Sequence, residues 1–399
     1  MSFKIFRSPF LAGVYKSSID QPLSSADAIA HRTLIGRLLP VLVCESSRRW
    51  SMMHRSGIDS SHAVLELDWI ERRQLTRRAF GVFLLGGLAC AGLGGPSVTA
   101  SESITTTTEP EGPDHLPRRR VKVLDTEISY VDTGAGDPVV FLHGNPTWSY
   151  QWRDIIPSIS PHRRCLAPDL VGMGWSGKSP TQAYRFVDHA RYMDAWFEAL
   201  RLTQNVSLVG HDWGAAIGIY RARRYPEQIK AIAYYEAVLQ PRRWDDFSGG
   251  RDTLFRALRS PEGERLVLDE NVFVEVVLPR GIMRQLRDDE MEAYRAPYRD
   301  RERRLPTLIW PRELPIEGVP EDVVAIVEQN AQWLATSSQL PKLFINGDPG
   351  VILTGRLREF CRTLPNQREV TVKGLHHLQE DSPKEIGEAL RDFLLGLGT

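Results

Sequence analysis

The sequence has few cysteines and no excess of charge of either sign. Its four cysteines are scattered over 399 residues without a Cys-x-x-Cys pair, which argues against a zinc site and a dithiol redox motif. The 50 basic and 50 acidic residues cancel, so the chain lacks the positive field expected of a nucleic-acid-binding protein. No internal repeat is apparent, which argues against a solenoid or propeller. We therefore expect a small-molecule partner and no nucleic acid.

The sequence predicts neither a serine-esterase motif nor a functional P-loop. No Gly-x-Ser-x-Gly sequence occurs, which argues against a serine esterase. Residues 172–179 fit the P-loop pattern, but Pro180 and a polar stretch follow them. A P-loop leads instead into a helix whose N-terminus holds phosphate, so we do not predict nucleotide binding.

The segment 71–100 resembles a twin-arginine export signal. Thr76, Arg77, Arg78 and Phe80 precede a glycine-rich apolar stretch that ends in an A-x-A-like cleavage site. A transmembrane anchor is the alternative, but the stretch is short and rich in glycine for a bilayer span. The predicted location is periplasmic or exported, or cytoplasmic if the signal is not used. We expect contact with a membrane only through this signal.

The remaining residues before the enzyme are predicted to carry no catalytic function. Residues 1–70 form an extension of uncertain role, because an export signal normally begins near the start of a chain. Residues 101–117 are rich in Thr, Glu and Pro and lack apolar periodicity, which predicts a solvated linker. The folded enzyme is predicted to begin near Arg118.

The folded part is predicted to be an α/β domain with an insertion. Short apolar runs alternate with helical patterns, which indicates a mostly parallel sheet covered by helices. One helix is predicted over Phe186–Leu202, and another begins with a capping pattern at Ser382. The hundred or so residues 239–338 read as helices and predict a cap, inserted between core segments 118–238 and 339–399. The predicted strands are a hairpin over 121–131 and runs at 138–142, 164–168, 206–209, 231–235, 342–346 and 369–372.

Asp212 is the predicted nucleophile. An apolar strand leads into Gly210-His-Asp212-Trp-Gly214 and then into an Ala-rich helix, which is the nucleophile-elbow pattern with Asp in the central position. The flanking glycines permit a tight turn that exposes the central side chain. A carboxylate is already ionised at neutral pH, so it attacks without a base and forms a covalent ester.

Hydrolysis of that ester requires a base and a residue that orients it. His376 follows the last predicted strand and is the predicted base, with His377 as its neighbour. Two carboxylates end strands and are candidates for the orienting acid: Glu236 and Asp348. Residue spacing alone leaves both open.

Five motifs occur together in the chain: His143-Gly-Asn145-Pro146, Asp169-Leu-Val-Gly-Met-Gly174, Gly210-His-Asp212-Trp213-Gly214, Tyr235-Glu236-Ala237 and Gly374-Leu-His376-His-Leu-Gln-Glu-Asp381. This set resembles the haloalkane dehalogenases over 120–398, in particular the lindane-pathway branch that also includes Renilla-type luciferases. The resemblance implies an α/β-hydrolase fold with a mostly parallel eight-stranded sheet and a helical cap.

The resemblance also implies the reaction and its residues. A haloalkane and water would give alcohol and halide through an aspartyl ester, without a cofactor or metal ion. Glu236 matches the acid of this branch, whereas Asp348 matches a different branch. Asn145 and Trp213 would donate side-chain N–H groups to the leaving halide, which fits the need to stabilise a desolvated anion.

Two departures from the family pattern are Ser248, where close relatives carry Pro, and Trp148, which replaces a small residue; both predict an altered pocket.

An epoxide hydrolase, a luciferase-like oxygenase and a silent binding protein are the competing functions. Asn145 argues against the first, and the complete set Asp212, Glu236 and His376 argues against the last. The sequence does not indicate the oligomeric state or the preferred haloalkane.

Overall fold

The computed structural model describes three stretches of the chain: 106–109, 112–247 and 249–398. The predicted export signal at 71–100 and the extension at 1–70 lie outside the described residues, as do Ser248 and part of the predicted linker. Within the described stretches, no helix is both long and apolar enough to cross a membrane.

A single sheet contains the strands of the described residues. Its strand order is β1-β2-β3-β5-β4-β6-β7-β8-β9, antiparallel as far as the β3–β5 pair and parallel from β5 to β9. This agrees with the predicted mostly parallel sheet. The strands are β1 Thr106–Glu109, β2 Arg118–Val123, β3 Thr126–Thr133, β4 Pro138–Leu142, β5 Arg164–Pro168, β6 Val206–Asp212, β7 Ile229–Ala237, β8 Lys342–Pro349 and β9 Gln367–Gly374.

The described sheet has nine strands, not the predicted eight, because part of the predicted linker is a strand. β1 pairs antiparallel with β2, with Thr106 opposite Val121. Its three threonines are β-branched and favour extended backbone, although they supply no apolar alternation. The same linker also contains Asp114, which is buried and lies 2.6 Å from the Arg118 guanidinium.

The core occupies both faces of the sheet. On β4, Val140 and Leu142 belong to one buried cluster, whereas Val139 and Phe141 belong to the cluster on the opposite face. This alternation follows from the two-residue period of a strand. A strand buried on both faces reads as a continuous apolar run, which is why β4 was readily predicted.

Eight helices of at least two turns are described: α1 Phe186–Ala199, α2 Trp213–Arg224, α3 Arg251–Arg259, α4 Asp288–Arg295, α5 Leu305–Glu313, α6 Glu321–Thr336, α7 Gly355–Arg362 and α8 Pro383–Gly396. α1 ends three residues before its predicted end. α8 follows Ser382 as predicted, but the Ser382 hydroxyl donates to the Lys373 carbonyl at 2.8 Å and does not cap the helix.

The inserted segment forms a helical cap with a small core of its own, which includes Leu258, Phe273 and Leu308. Its predicted end at 338 includes α6 in the cap. α6 packs against the core helix α2. Its Asn330 accepts a hydrogen bond from Arg223 at 3.0 Å and donates one to the Ala216 carbonyl at 3.4 Å. Helical periodicity alone does not tell which layer a helix joins.

Short helical turns lie between these elements of the described residues, at Ser149–Trp152, Ile156–Ser158, Pro226–Gln228, Trp244–Asp246, Glu262–Glu264, Arg265–Asp269, Phe273–Val277, Leu278–Arg280, Ala296–Tyr298, Arg301–Arg304 and Leu378–Asp381.

Candidate active site

Asp212 lies at the sharp turn between β6 and α2. Its backbone has φ 52° and ψ −124°, which is unfavourable for a non-glycine residue. A Cβ on Gly210 would lie 2.4 Å from the Ala215 Cα, and one on Gly214 would lie 2.1 Å from the Leu142 carbonyl oxygen. Both glycines are therefore required by close approach of backbone, as the elbow pattern predicts.

The Asp212 carboxylate is almost completely buried, at 5% exposure. Its Oδ2 accepts a hydrogen bond from the Asn145 backbone N–H at 2.9 Å. Burial raises the pKa of Asp212, while His376 and the backbone N–H groups of Asn145 and Trp213 act in the opposite direction. The site thus holds a buried carboxylate with one oxygen fixed by a backbone donor.

His376 lies in the loop after β9, where the structure brings it to Glu236. The His376 Nδ1 is 3.5 Å from the Glu236 Oε2. The loop is held from the cap side, because the Gly281 carbonyl accepts hydrogen bonds from the backbone N–H of His376 at 3.0 Å and of His377 at 2.9 Å. A backbone atom of the cap therefore positions the predicted base.

Glu236 is fixed by the loop that follows β8. Its Oε2 accepts from the backbone N–H of Val351 at 2.9 Å and of Ile352 at 2.7 Å, and its Oε1 accepts from Leu353 at 3.2 Å. Three donors of this kind stabilise an ionised carboxylate. Asp348, the alternative acid, is exposed, and within the described residues it forms no ion pair with His376.

Two further histidines surround His376. Ring nitrogens of His211, His376 and His377 lie within 4.8 Å of one another, a spacing from which a metal site could be considered. One nitrogen of His211, Nε2, already lies 3.0 Å from the His376 carbonyl oxygen. Burial holds the pKa of His211 and of His377 well below 6.5, so both rings are neutral near neutral pH. His211 and His377 therefore pack against His376 as uncharged rings.

Asn145 and Trp213 line the cavity into which Asp212 opens. The Asn145 Nδ2 lies 3.4 Å from the Thr307 carbonyl oxygen, a weak contact that leaves its second N–H uncommitted. Trp213 stacks on Trp310 of the cap, with ring centroids 4.7 Å apart. The structure therefore brings both predicted halide donors to the nucleophile.

The cavity has a volume of about 480 Å³ and a mostly apolar lining. The cap residues that line it include Phe247, Phe255, Phe273 and Leu314. Trp148 does not line the cavity, contrary to expectation; it is buried and donates to the Ala293 carbonyl at 3.2 Å. It packs between core and cap.

Several cavity residues were not predicted from the sequence. Arg242, Arg251 and Arg280 line the cavity, and Gly281 contacts the histidine loop. The sequence did contain one signal for Arg242: it is a charged residue that follows the predicted acid Glu236 closely. Nothing local marks Gly281, because its role depends on residues almost a hundred positions away.

Known proteins resemble this chain in sequence and in fold. The alpha/beta hydrolase fold family matches residues 137–383. A haloalkane dehalogenase of Sphingobium indicum is 50% identical over 281 residues, which cover 69% of this chain and 95% of that protein. The chain belongs to the haloalkane dehalogenase family. The dehalogenase DbeA from Bradyrhizobium elkani, a solved structure of this family, aligns with a TM-score of 0.67 at 40% identity, covering 74% of this chain and 99% of DbeA.

One relative with comparable sequence identity to this chain has a different activity. The coelenterazine h 2-monooxygenase of Renilla reniformis is 43% identical over 289 residues, which cover 71% of this chain and 92% of that protein. The predicted resemblance to the haloalkane dehalogenases and the predicted hydrolase fold are confirmed.

Proposed function

We propose that the chain hydrolyses carbon–halogen bonds of haloalkanes to an alcohol and a halide, through a covalent ester on Asp212. The observation that carries the proposal is a buried carboxylate that opens into a largely apolar cavity beside two neutral N–H side chains. Family membership supports it, since relatives with 46% and 50% identity are haloalkane dehalogenases.

The first step is displacement of halide by Asp212. Because its Oδ2 is held by the Asn145 backbone N–H at 2.9 Å, we assign the attack to Oδ1. The carbon–halogen bond breaks as the Oδ1–carbon bond forms, and the halide leaves with the bonding pair. Side-chain N–H groups of Asn145 and Trp213 stabilise its developing charge in a cavity that supplies little water.

The second step is hydrolysis of the ester by water. His376 accepts a proton from that water, and Glu236 stabilises the imidazolium and fixes the ring. The backbone donor on Oδ2 then stabilises the negative charge of the tetrahedral intermediate. Asp348 is the less supported acid, because its side chain is exposed.

Halide release from 1-bromobutane tests this proposal, with His376→Phe as the decisive variant. Attack needs no base, whereas ester hydrolysis does, so the variant should release about one equivalent of bromide and then stop. Intact-protein mass spectrometry should find one butyl adduct per chain. His162→Phe makes the same replacement at an exposed histidine that does not line the cavity; it is the matched control and should turn over without accumulating the adduct. An unmodified His376→Phe chain that releases no bromide would contradict the two-step scheme.

An oxygenase of the Renilla type is the second candidate, supported by the 43% identical monooxygenase. An epoxide hydrolase is less supported, because opening an epoxide requires acids for the alkoxide, and Asn145 occupies a position at which those enzymes usually carry an aromatic residue. Light emission with coelenterazine h and diol formation from 1,2-epoxyhexane are the discriminating assays. We expect neither to approach the rate of bromide release.

We further propose export through the twin-arginine route, on the basis of Arg77, Arg78 and the apolar stretch that follows them. A reporter fused behind residues 53–105 should cross the bacterial inner membrane. Replacing both arginines by lysine should stop export. Transport that is indifferent to this replacement would overturn the assignment.

A further inference from the structure

The apolar cavity carries an unusual amount of positive charge. Arg242, Arg251 and Arg280 line it, and Asp212 is the one carboxylate among the lining residues that the structure describes. The reaction of a neutral haloalkane at Asp212 does not require these cations, since the halide donors are Asn145 and Trp213. The arginines therefore call for a separate explanation.

Arg242 is the most informative of the three, because it is buried at 6% exposure. Its Nη2 donates to the Asp246 backbone carbonyl at 3.1 Å, and its Cζ lies 4.0 Å from the Phe247 ring centroid. Its Nε is buried without an acceptor. In the described part of the chain, no carboxylate oxygen lies within ion-pair distance of Arg242.

The nearest carboxylate on the same segment is already engaged. Asp246 binds Arg356, with the Nε–Oδ1 distance at 2.9 Å. Burial lowers the pKa of Arg242 to about 10; the charges of Asp246 and Glu236 oppose this shift, whereas those of Arg251 and Arg356 add to it. A buried guanidinium with no carboxylate in direct contact is costly, and its field is strong because the surroundings are apolar. An anion in the cavity would relieve that cost.

We propose that Arg242, assisted by Arg251, forms an anion subsite of the cavity and that the chain accepts haloalkanoates, whose carboxylate binds there while the halogenated carbon lies at Asp212. This deepens the proposed function and rests on it. The carbon–halogen bond breaks as the bond from Asp212 to the substrate carbon forms, and water then hydrolyses this ester to free a hydroxyalkanoate, with one halide and one proton as the other products. A carboxylate matches the planar guanidinium better than a spherical halide does.

Binding of hexanoate to the full chain, measured by calorimetry, tests the subsite without any turnover. Arg242→Met keeps the length of the side chain and removes its charge, and should weaken hexanoate binding about tenfold or more. Arg243→Met is the matched control: it removes the same charge one residue away, on an exposed side chain that does not line this cavity. It should change hexanoate affinity by less than about twofold.

Turnover of 4-bromobutanoate, 6-bromohexanoate and 8-bromooctanoate, each against the 1-bromoalkane of equal length, tests use of the subsite. In Arg242→Met, kcat/KM should fall more for the acid than for the alkane, mainly through KM. The chain length with the largest ratio measures the span from Asp212 to Arg242. Failure of all bromoalkanes would overturn the proposed function, while hexanoate binding would still report on the subsite.

Three results would overturn the inference. Unchanged hexanoate affinity in Arg242→Met would mean that the guanidinium does not bind carboxylate. An equal loss for acids and alkanes would mean that Arg242 acts on Glu236, whose charge lies within its field. Weakened binding of sodium bromide with intact hexanoate binding would assign the subsite to the departing halide.

Discussion

Glu236→Gln and Asp348→Asn should separate the orienting acid from the bystander. The Glu236 Oε2 lies 3.5 Å from the His376 Nδ1. At an effective dielectric constant of about 20, Coulomb's law gives about 5 kcal/mol for the pair formed when His376 takes up a proton. Since about 1.4 kcal/mol is tenfold in rate, ester hydrolysis should slow by about 10³- to 10⁴-fold. A protease that loses the corresponding charge slows by about 10⁴-fold.

The first step should survive this change. A glutamine oxygen in the Oε2 position keeps the hydrogen bonds from Val351 and Ile352 and loses the one from Leu353. The Glu236→Gln chain should therefore remain folded and form the alkyl adduct with 1-bromobutane. Asp348→Asn is the control, because that side chain is exposed, and its steady-state rate should stay within about tenfold of the parent.

Bromide release at steady state and adduct mass in the same samples are the two measurements. A crippled Asp348→Asn enzyme beside a near-normal Glu236→Gln enzyme would show that the acid assignment is wrong. Loss of both turnover and adduct in Glu236→Gln would mean that Glu236 supports the fold of the site, and thermal unfolding would then show a lowered Tm.

Three further changes test stability by urea unfolding. Gly210→Ala should destabilise the chain by about 3 kcal/mol or prevent folding, because its Cβ would lie 2.4 Å from the Ala215 Cα; unchanged stability would refute the close packing of the elbow. Asp114→Ala should cost about 2 kcal/mol, because it removes one of the two buried carboxylates that pair with Arg118, the other being Asp169 at 3.6 Å; a neutral result would mean that this segment adds no stability, as expected of a linker. Asp212→Asn should stabilise by about 1 kcal/mol at neutral pH, because burial raises the pKa of Asp212 and disfavours its charged form. That gain should vanish as the pH falls below 3.8, the usual pKa of the unfolded carboxyl, and a gain that persists in acid would contradict its electrostatic origin.

The parts of the fold that were predictable from the sequence are those with local causes. β4 is a continuous apolar run, and the elbow around Asp212 combines a strand, two glycines and a helix within a few residues. β1 was missed because its threonines gain stability only from hydrogen bonds to a distant strand. The packing of α6 against α2 was not predicted, because a helical pattern does not reveal a partner that lies far away in the sequence.

The site residues likewise include some that local sequence predicts and some that depend on distant parts of the chain. The residue pattern predicts Asp212 and His376, and the family resemblance favours Glu236 over Asp348 as the acid. The structure supports Glu236, because it lies 3.5 Å from the His376 Nδ1 while the Asp348 side chain is exposed. Exposure of a side chain at the end of β8 depends on how the strand leaves the sheet, and no spacing rule supplies it. The charge of Arg242 was visible in the sequence, whereas its burial and its lack of a carboxylate partner were not.

The carbonyl of Gly281 has a consequence for how this enzyme could be altered by recombination. It belongs to the cap, yet it holds the backbone of His376 and His377. A Cβ at this position would approach the His377 ring to 2.9 Å, so the junction tolerates neither a larger residue nor a shifted backbone. A chimera that exchanges the cap would replace the support of the base together with the pocket walls. If His376 is the base that the proposed mechanism requires, exchange of the cap would change substrate range and rate of ester hydrolysis together.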